Sequence, residues 1–345
     1  MVGPDYITLI YLYDQSLLSC SLEVWDFKSD CDSRPGRNSE LKPHRVLLKA
    51  GSTMPELVQH TAVDDLQTIM DTYSEDPLFY CLWHSIKFEL DGTFPNTKLS
   101  LLSYRFSNGS VLLVGHKRNK ITSDFIILYL RGSAQHHELD DAFTELFKLF
   151  PINDRKVFMG EEQLIKAACN YFNEKLNITK VHPYPTRVFY MTREQMDLAR
   201  SMQSPDLPEG YTLGCSDPKL DAEIITKTWR HSTPNEVEQT RAKLTCFPSS
   251  CVRFNGAPVG FEMVDHIGSL NHLFVLEEHR RKGLGNIIEL DLARKITRTG
   301  CKVFKFVELF NKSVIAGSAQ SPLWTTLVDR DGSDVTYVFL GVLTE

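Results

Sequence analysis

The most regular pattern of apolar and polar positions lies in the second half of the chain. Residues 270–276 form an apolar run that predicts a strand, and residues 286–299 carry apolar side chains at helical spacing, up to a stop at Gly300. The neighbouring elements are a strand over 257–264 entered through a hairpin turn at Asn255-Gly256, a strand over 302–309, a helix over about 312–319, and strands near 323–329 and 334–340 joined through Asp331-Gly332. This succession predicts an α/β fold with a mixed sheet.

The first half is less regular, but it repeats the same alternation of strands and helices. The predicted elements are a helix-like stretch from Met54 to Asp76-Pro77, strands over 81–90, 99–106 and 110–116 with a hairpin at Asn108-Gly109, a strand over 125–130, helices over 139–150 and 161–176, and a strand over 187–191. A strand over 211–213 and helices near 218–230 and 234–243 follow the turn-rich segment 204–210.

The length of the chain indicates more than one domain. A single core usually stops growing near 250–300 residues, and this chain has 345. With 204–210 as the linker, we expect an N-terminal extension of unclear structure over 1–50, an N-terminal domain over 51–203 and a C-terminal domain over 204–345.

A glycine-containing basic loop connects the strand over 270–276 to the helix that follows. Gly283 and Gly285 let the backbone approach a phosphate closely, and the N–H groups that open the helix would point at it. The residues 280–282, Arg-Arg-Lys, add positive charge. The loop predicts a pyrophosphate site, although an ordinary strand-to-helix corner with a solvated basic turn also fits such a short pattern.

Composition and charge narrow the classes of function. Lys plus Arg is 38 against 44 acidic residues, so a net charge of −6 argues against a nucleic-acid surface. The apolar region 6–24 is interrupted by polar residues, and it predicts neither a membrane span nor a signal peptide. We therefore expect an intracellular protein without a membrane partner, cytoplasmic or mitochondrial, although no clear transit peptide is present.

Cysteine and histidine spacing does not predict a metal site. The eight cysteines lack paired metal spacing, so we expect reduced thiols, and His136-His137 is expected in a surface turn.

The pattern Arg-x-x-Gly-x-Gly, from Arg280 to Gly285, resembles motif A of the GCN5-related N-acetyltransferase (GNAT) superfamily, whose members bind acyl-CoA. The segment 264–283 is similar to the glycine N-acyltransferase family in its spacing of Asp265, Gly268 and Glu278, and the resemblance covers about residues 205–345. It implies a GNAT-type fold in the C-terminal half, and the similar alternation of elements predicts a degenerate GNAT-like domain in the N-terminal half, which lacks this motif.

The resemblance also implies the residues that contact coenzyme A. They are Phe274, Val275 and Leu276, whose backbone would pair with the pantetheine arm, the loop residues Arg280, Arg281, Lys282, Gly283, Leu284, Gly285 and Asn286, and Asn311. Asn311 also suits a helix N-cap. Acyl-CoA is then a co-substrate, and no metal is needed.

The residue that would accept the proton from the amine departs from the family. Where those relatives carry a glutamate, this chain has Ser269, which is too weak a base and could act only by positioning a water. His272, His266 and Glu262 are nearby replacements, but alternation along the strand places His272 opposite Ser269 unless a bulge intervenes. Trp324 stands near the position of the acidic tyrosine of many relatives, so solvent would protonate the leaving thiolate.

The resemblance therefore implies an acyl-CoA-dependent N-acyltransferase that acts by direct attack on a small acceptor such as glycine or another amino acid. Two alternatives stay open: an acyl-CoA-binding protein without catalysis, which Ser269 favours, and an acetyltransferase for a protein or polyamine amine. Trp229 and His231, at the junction of two predicted helices, either line the acceptor pocket or belong to the core.

Overall fold

The computed structural model describes residues 55–343, apart from 153 and 204–205. The predicted N-terminal extension over 1–50 lies outside the described residues. The strands are β1 (Glu56–His60), β2 (Thr97–Arg105), β3 (Val111–Asn119), β4 (Asp124–Arg131), β5 (Lys156–Glu161), β6 (Val181–Tyr190), β7 (Tyr211–Gly214), β8 (Ser249–Phe254), β9 (Ala257–Val264), β10 (Leu270–Val275), β11 (Phe304–Glu308), β12 (Thr325–Thr326) and β13 (Thr336–Val342). The α-helices are α1 (Val63–Thr72), α2 (Tyr80–Asp91), α3 (His136–Leu149), α4 (Glu162–Leu176), α5 (Arg193–Ser201), α6 (Ala222–Lys227), α7 (Glu236–Cys246), α8 (Leu284–Thr297) and α9 (Lys312–Gln320).

One mixed sheet runs through the described residues in the order β1-β2-β3-β4-β5-β13-β6-β11-β10-β9-β8-β7, with β12 beside β6. The same succession occurs twice, since β2, β3 and β4 are antiparallel and β4 pairs with β5 in parallel, while β8, β9 and β10 are antiparallel and β10 pairs with β11 in parallel. The predicted mixed α/β fold class is confirmed. The domain boundaries stay a prediction.

The two halves exchange their last strands. β6, from the first half, pairs with β11, and β13, from the second half, pairs with β5. β6 and β13 also pair with each other along their length, from Val181 beside Val342 to Arg187 beside Thr336. Each half therefore completes its sheet with a strand of the other.

The halves also share an apolar core. Tyr80 of α2 contacts Phe304 of β11, with 5.7 Å between ring centroids, and Phe94 stacks on Phe247 at 5.1 Å. Gly268 has a φ of 90°, and a Cβ there would lie 2.2 Å from Cγ of His84 in α2. The turn before β10 therefore packs directly on a helix of the first half.

Most predicted elements are present, and three differ. Residues 81–90 form helix α2, not a strand. Residues 80–86 are all buried, so the run has no solvent-facing side and its periodicity does not separate helix from strand. The region after Met54 begins with the strand β1 before α1. His136-His137 opens α3 instead of lying in a turn.

Candidate functional site

The parallel strands β10 and β11 separate soon after they meet. They are paired only where Leu270 lies beside Lys305, whereas β4 and β5 are paired from Asp124 beside Lys156 to Ile127 beside Met159. Beyond Leu270, no strand among the described residues pairs with the β11-facing edge of β10. A gap therefore opens between β10 and β11, towards Val275 and Glu308.

A bulge in β10 widens this gap. The register with β9 shifts between Asn271 and Phe274, and His272 has a left-handed φ of 61°. Residues 271–275 are all partly or largely exposed, with Leu273 at 37%, while the corresponding strand β4 has a buried centre over 126–129. β10 is thus partly exposed in the segment where the pantetheine arm is predicted to pair.

The gap ends beside the N-terminus of α8. Gly283 is the N-cap residue with a φ of 75°, and Arg281 is also left-handed at 59°. The first N–H groups of a helix have no partner within it, and they carry the positive end of its dipole. A Cβ on Gly283 or Gly285 would meet nothing within 4 Å, so open space adjoins these N–H groups. The predicted loop of residues 280–286, called the cradle, therefore borders open space at the positive end of α8.

Two of the basic side chains of this loop brace it. Arg280 Nε donates to the Val275 carbonyl oxygen at 2.8 Å, and its guanidinium lies 5.4 Å from the Phe274 ring centroid. Lys282 Nζ donates to the Glu278 carbonyl oxygen at 2.8 Å. Both cations stay near the cradle, and Arg280 ties the loop to the end of β10.

The predicted candidates for the base occupy different environments. Ser269 is buried, and its carbonyl oxygen accepts from the Asp265 N–H at 2.8 Å. His266 is buried between Phe94 and Phe125, and burial lowers its pKa.

Glu262 is also buried, and desolvation followed by the nearby carboxylate of Glu289 raises its pKa well above the usual value. Its carboxyl therefore lies near Glu289 of α8, and burial favours its neutral form.

The His272 side chain packs against α6 and the residue that follows it. Its Nε2 lies 3.1 Å from the Ile225 carbonyl oxygen and 2.8 Å from Thr228 Oγ1, so Nε2 carries the proton. The ring packs 4.7 Å from that of Trp229, and burial lowers its pKa to about 4. This imidazole is therefore neutral near pH 7 and already bonded to backbone.

Asn311 and Trp324 follow β11 in the chain. Asn311 is the N-cap residue of α9, but its side chain makes no capping hydrogen bond, and its carbonyl oxygen accepts from the Ile315 N–H at 3.1 Å. Trp324 is buried, and its Nε1 donates to Glu289 at 2.8 Å. The Asn311 amide is not used as a cap, and the indole belongs to the interior.

The mouth of the gap carries further residues. His231 Nε2 lies 3.1 Å from Glu308 Oε1, and Arg230 lies 3.6 Å from Glu308 Oε2 and 4.4 Å from the Phe310 ring centroid. No pattern in the sequence points to Glu308, because it is one of many charged residues at strand ends. Its partner His231 lies 6.4 Å from the Trp229 ring, between ring centroids.

The described residues lack two general features. No helix of residues 55–343 is long and apolar enough to cross a membrane. The same residues contain no group of three or more His, Cys, Asp or Glu side chains placed to hold a metal ion.

Comparisons with known proteins agree with this architecture. Residues 259–316, which run from β9 into α9 and include the cradle, match the family model described as FR47-like protein. A Drosophila protein solved by a structural genomics consortium has a TM-score of 0.67 at 13% identity, and the match covers 83% of this chain and 98% of that one.

Two further solved structures are similar over most of their length. A tandem GNAT protein from the clavulanic acid biosynthesis pathway has a TM-score of 0.47 at 14% identity and covers 85% of this chain and 99% of that chain. A GCN5-related N-acetyltransferase from Sphaerobacter thermophilus has a TM-score of 0.44 at 11% identity, covering 84% and 96%. The chain thus shares its fold with the Drosophila protein, and its segment 259–316 is similar to the FR47-like family.

Proposed function

We propose that this chain is an acyl-CoA-dependent N-acyltransferase whose acceptor is a small amine such as glycine or another amino acid. The observation that carries the proposal is the gap between β10 and β11, which ends on the N-terminus of α8. In the first half the equivalent strands stay paired over Asp124–Ile127, so that half has no comparable opening.

The gap suits the parts of an acyl-CoA molecule. The pyrophosphate would contact the N–H groups at Gly283–Asn286, with the helix dipole behind them. The amides of the pantetheine arm would pair with the backbone of residues 274–276 as a strand adds to a sheet edge, beside the Val275 carbonyl oxygen that also accepts from Arg280. Leu273, Phe310 and Val314 are 37%, 61% and 39% exposed at the ends of β10, β11 and the start of α9, and they offer apolar contacts to the arm and the acyl chain.

Direct transfer then needs an anchor for the carbonyl oxygen and an acceptor for a proton. A backbone N–H in the bulge of β10 would polarise the thioester carbonyl. The amine nitrogen attacks the carbonyl carbon, a C–N bond forms, the C–S bond breaks, and the thiolate leaves. The acceptor would approach from the α6 side, where His272, Trp229 and His231 lie.

A second function, acyl-CoA binding without turnover, is favoured by one observation. The position that holds a glutamate in the glycine N-acyltransferases is the buried Ser269, and the neighbouring His272 is bonded to a carbonyl oxygen. If no other base serves, the cradle would hold acyl-CoA without transferring the acyl group.

Thiol release tests both functions. The protein is incubated with acetyl-, benzoyl- and longer acyl-CoAs, each with and without glycine, other amino acids, a polyamine and a lysine-containing peptide, while calorimetry measures CoA binding. We expect release that depends on a small amino acid. Thiol release only with the peptide or the polyamine would show that the acceptor is not a small amino acid. CoA binding without thiol release would establish the second function. A protein that does not bind CoA would refute both functions.

A further inference from the structure

A row of aromatic side chains crosses the mouth of the gap. The Trp229 ring lies 4.7 Å from His272 of β10 and 6.4 Å from His231, and His231 lies 4.8 Å from Tyr184 of β6. Because β11 lies between β10 and β6 in the sheet, this row passes over the end of β11, where Glu308 is located. His231 therefore lies over the end of β11, which borders the gap.

Glu308 orients the His231 imidazole. His231 Nε2 is 3.1 Å from Glu308 Oε1, so Nε2 donates to the carboxylate and Nδ1 is left as the acceptor nitrogen. The side chain of His231 is 33% exposed and bonded to a carboxylate, whereas His272 donates Nε2–H to the backbone of α6. Of these two histidines, His231 is the one that a carboxylate orients.

We infer that His231, positioned by Glu308, accepts the proton of the acceptor amine, a role that Ser269 cannot perform. The inference rests on the proposed acyl transfer. His231 Nδ1 takes one proton from the ammonium, the free amine attacks the thioester, and the C–S bond breaks. The thiolate takes the second nitrogen proton through solvent, and imidazolium returns the first to water, so one amide, one thiol and one released proton result.

Other titratable groups surround this pair. Arg230 lies 3.6 Å from Glu308, the Tyr184 ring contacts His231, and His272 and Lys243 lie on the far side of Trp229, with Lys243 Nζ 5.2 Å from the Trp229 ring centroid. Arg230 and His231 both contact the Glu308 carboxylate, so replacing Glu308 alters both neighbours. The His231→Gln variant is therefore the decisive one.

The test compares His231→Gln, Glu308→Gln and His182→Gln, the last a control on exposed residue 182 of β6. At pH 7, His231→Gln is expected to lower kcat about 10²- to 10⁴-fold with CoA affinity unchanged, since general base catalysis contributes that much. The deficit should shrink as the pH approaches about 10, where the amine is already deprotonated in solution. Glu308→Gln should reduce kcat about tenfold, a fraction of that effect, and His182→Gln should match the wild type.

Wild-type kcat in His231→Gln would overturn the inference while leaving the acyl transfer intact. A deficit that stays constant with pH, or that comes with weaker CoA binding, would mark a structural role and also overturn it. If the wild-type protein binds CoA but releases no thiol with any amine, the proposed transfer fails, and the inference fails with it.

Discussion

Replacing Gly285 by valine would separate ligand binding from folding. Gly285 lies in the first turn of α8 at an ordinary helical φ, and a Cβ there would meet nothing within 4 Å. The added side chain would therefore occupy only the open space of the cradle. Since valine is at least as good a helix former as glycine, the free energy of unfolding should change by less than about 0.5 kcal/mol.

The expected loss of affinity follows from the hydrogen bonds at risk. A hydrogen bond between a backbone N–H and a charged phosphate contributes about 1.5–3 kcal/mol. Excluding one phosphate oxygen from the cradle should therefore raise the Kd for CoA about 10- to 150-fold.

Calorimetric titration with CoA, alongside urea unfolding, provides the measurement. Gly317→Val is the matched control, because Gly317 is also helical and without neighbours within 4 Å of a Cβ, but it is exposed in the last turns of α9. The control should bind like the wild type. Equal Kd values for the two variants would refute the phosphate cradle. A loss of stability confined to Gly285→Val would show that the added side chain does meet neighbours in the folded protein.

Three further changes test the turn before β10. Asp265→Asn should cost about 3–5 kcal/mol of stability at pH 7, because Asp265 is buried 3.1 Å from Lys243. The pKa of Asp265 in the folded protein is held well below its usual value. In urea titrations the stability difference between wild type and variant should therefore persist above about pH 4 and disappear as the pH falls through the folded-state pKa of Asp265. Burial lowers the pKa of Lys117 to about 8, so wild-type stability should rise by on the order of 3 kcal/mol between about pH 8 and 10.4. Lys117→Met should lack this rise. An equal rise in the variant would show that Lys117 is not the titrating group. Gly268→Ala should lower Tm by more than Gly256→Ala, since both glycines have a positive φ but only Gly268 faces His84 at 2.2 Å from an added Cβ; equal shifts would show that the packing against α2 contributes little.

The elements around the cradle could be predicted because their signals are local. The predicted strand 257–264 matches β9, and the Asn255-Gly256 turn has the positive φ values, 51° and 85°, that such hairpins require. Strand 270–276 and the helix after Gly283 differ from β10 and α8 by one or two residues at their ends. Alternation, glycine stops and turn pairs all act within a few residues.

Helix α2 shows where local reasoning stops. Signals for both of its ends were present. Asp76 Oδ1 accepts from the Leu78 N–H at 3.0 Å and caps the 3-10 turn Pro77–Phe79 that leads into α2, and Gly92 ends the helix with a φ of 65°. The apolar run between them resembled a buried strand, because α2 is enclosed by both halves. The caps, read together with the distance between them, would have been the better guide.

The pairing of distant segments could not be predicted from such signals. The bulge at 271–274 depends on how β10 meets β9, and the contact of His231 with Glu308 joins residues 77 positions apart. The exchange of β6 and β13 is likewise set by the packing of the whole sheet. Periodicity specifies which face of a strand is buried, but it does not specify which strand lies beside it.

The first half therefore contributes structure to a site that it does not contain. Its strands β4 and β5 remain paired where β10 and β11 separate, yet its strand β6 supplies the far edge of β11 and places Tyr184 beside His231. Lys117 of β3 donates to the His266 carbonyl oxygen at 2.5 Å, so the turn that leads into β10 is held from the first half. An isolated second half would lose β6 and this support together, and both borders of the gap would then be free to move.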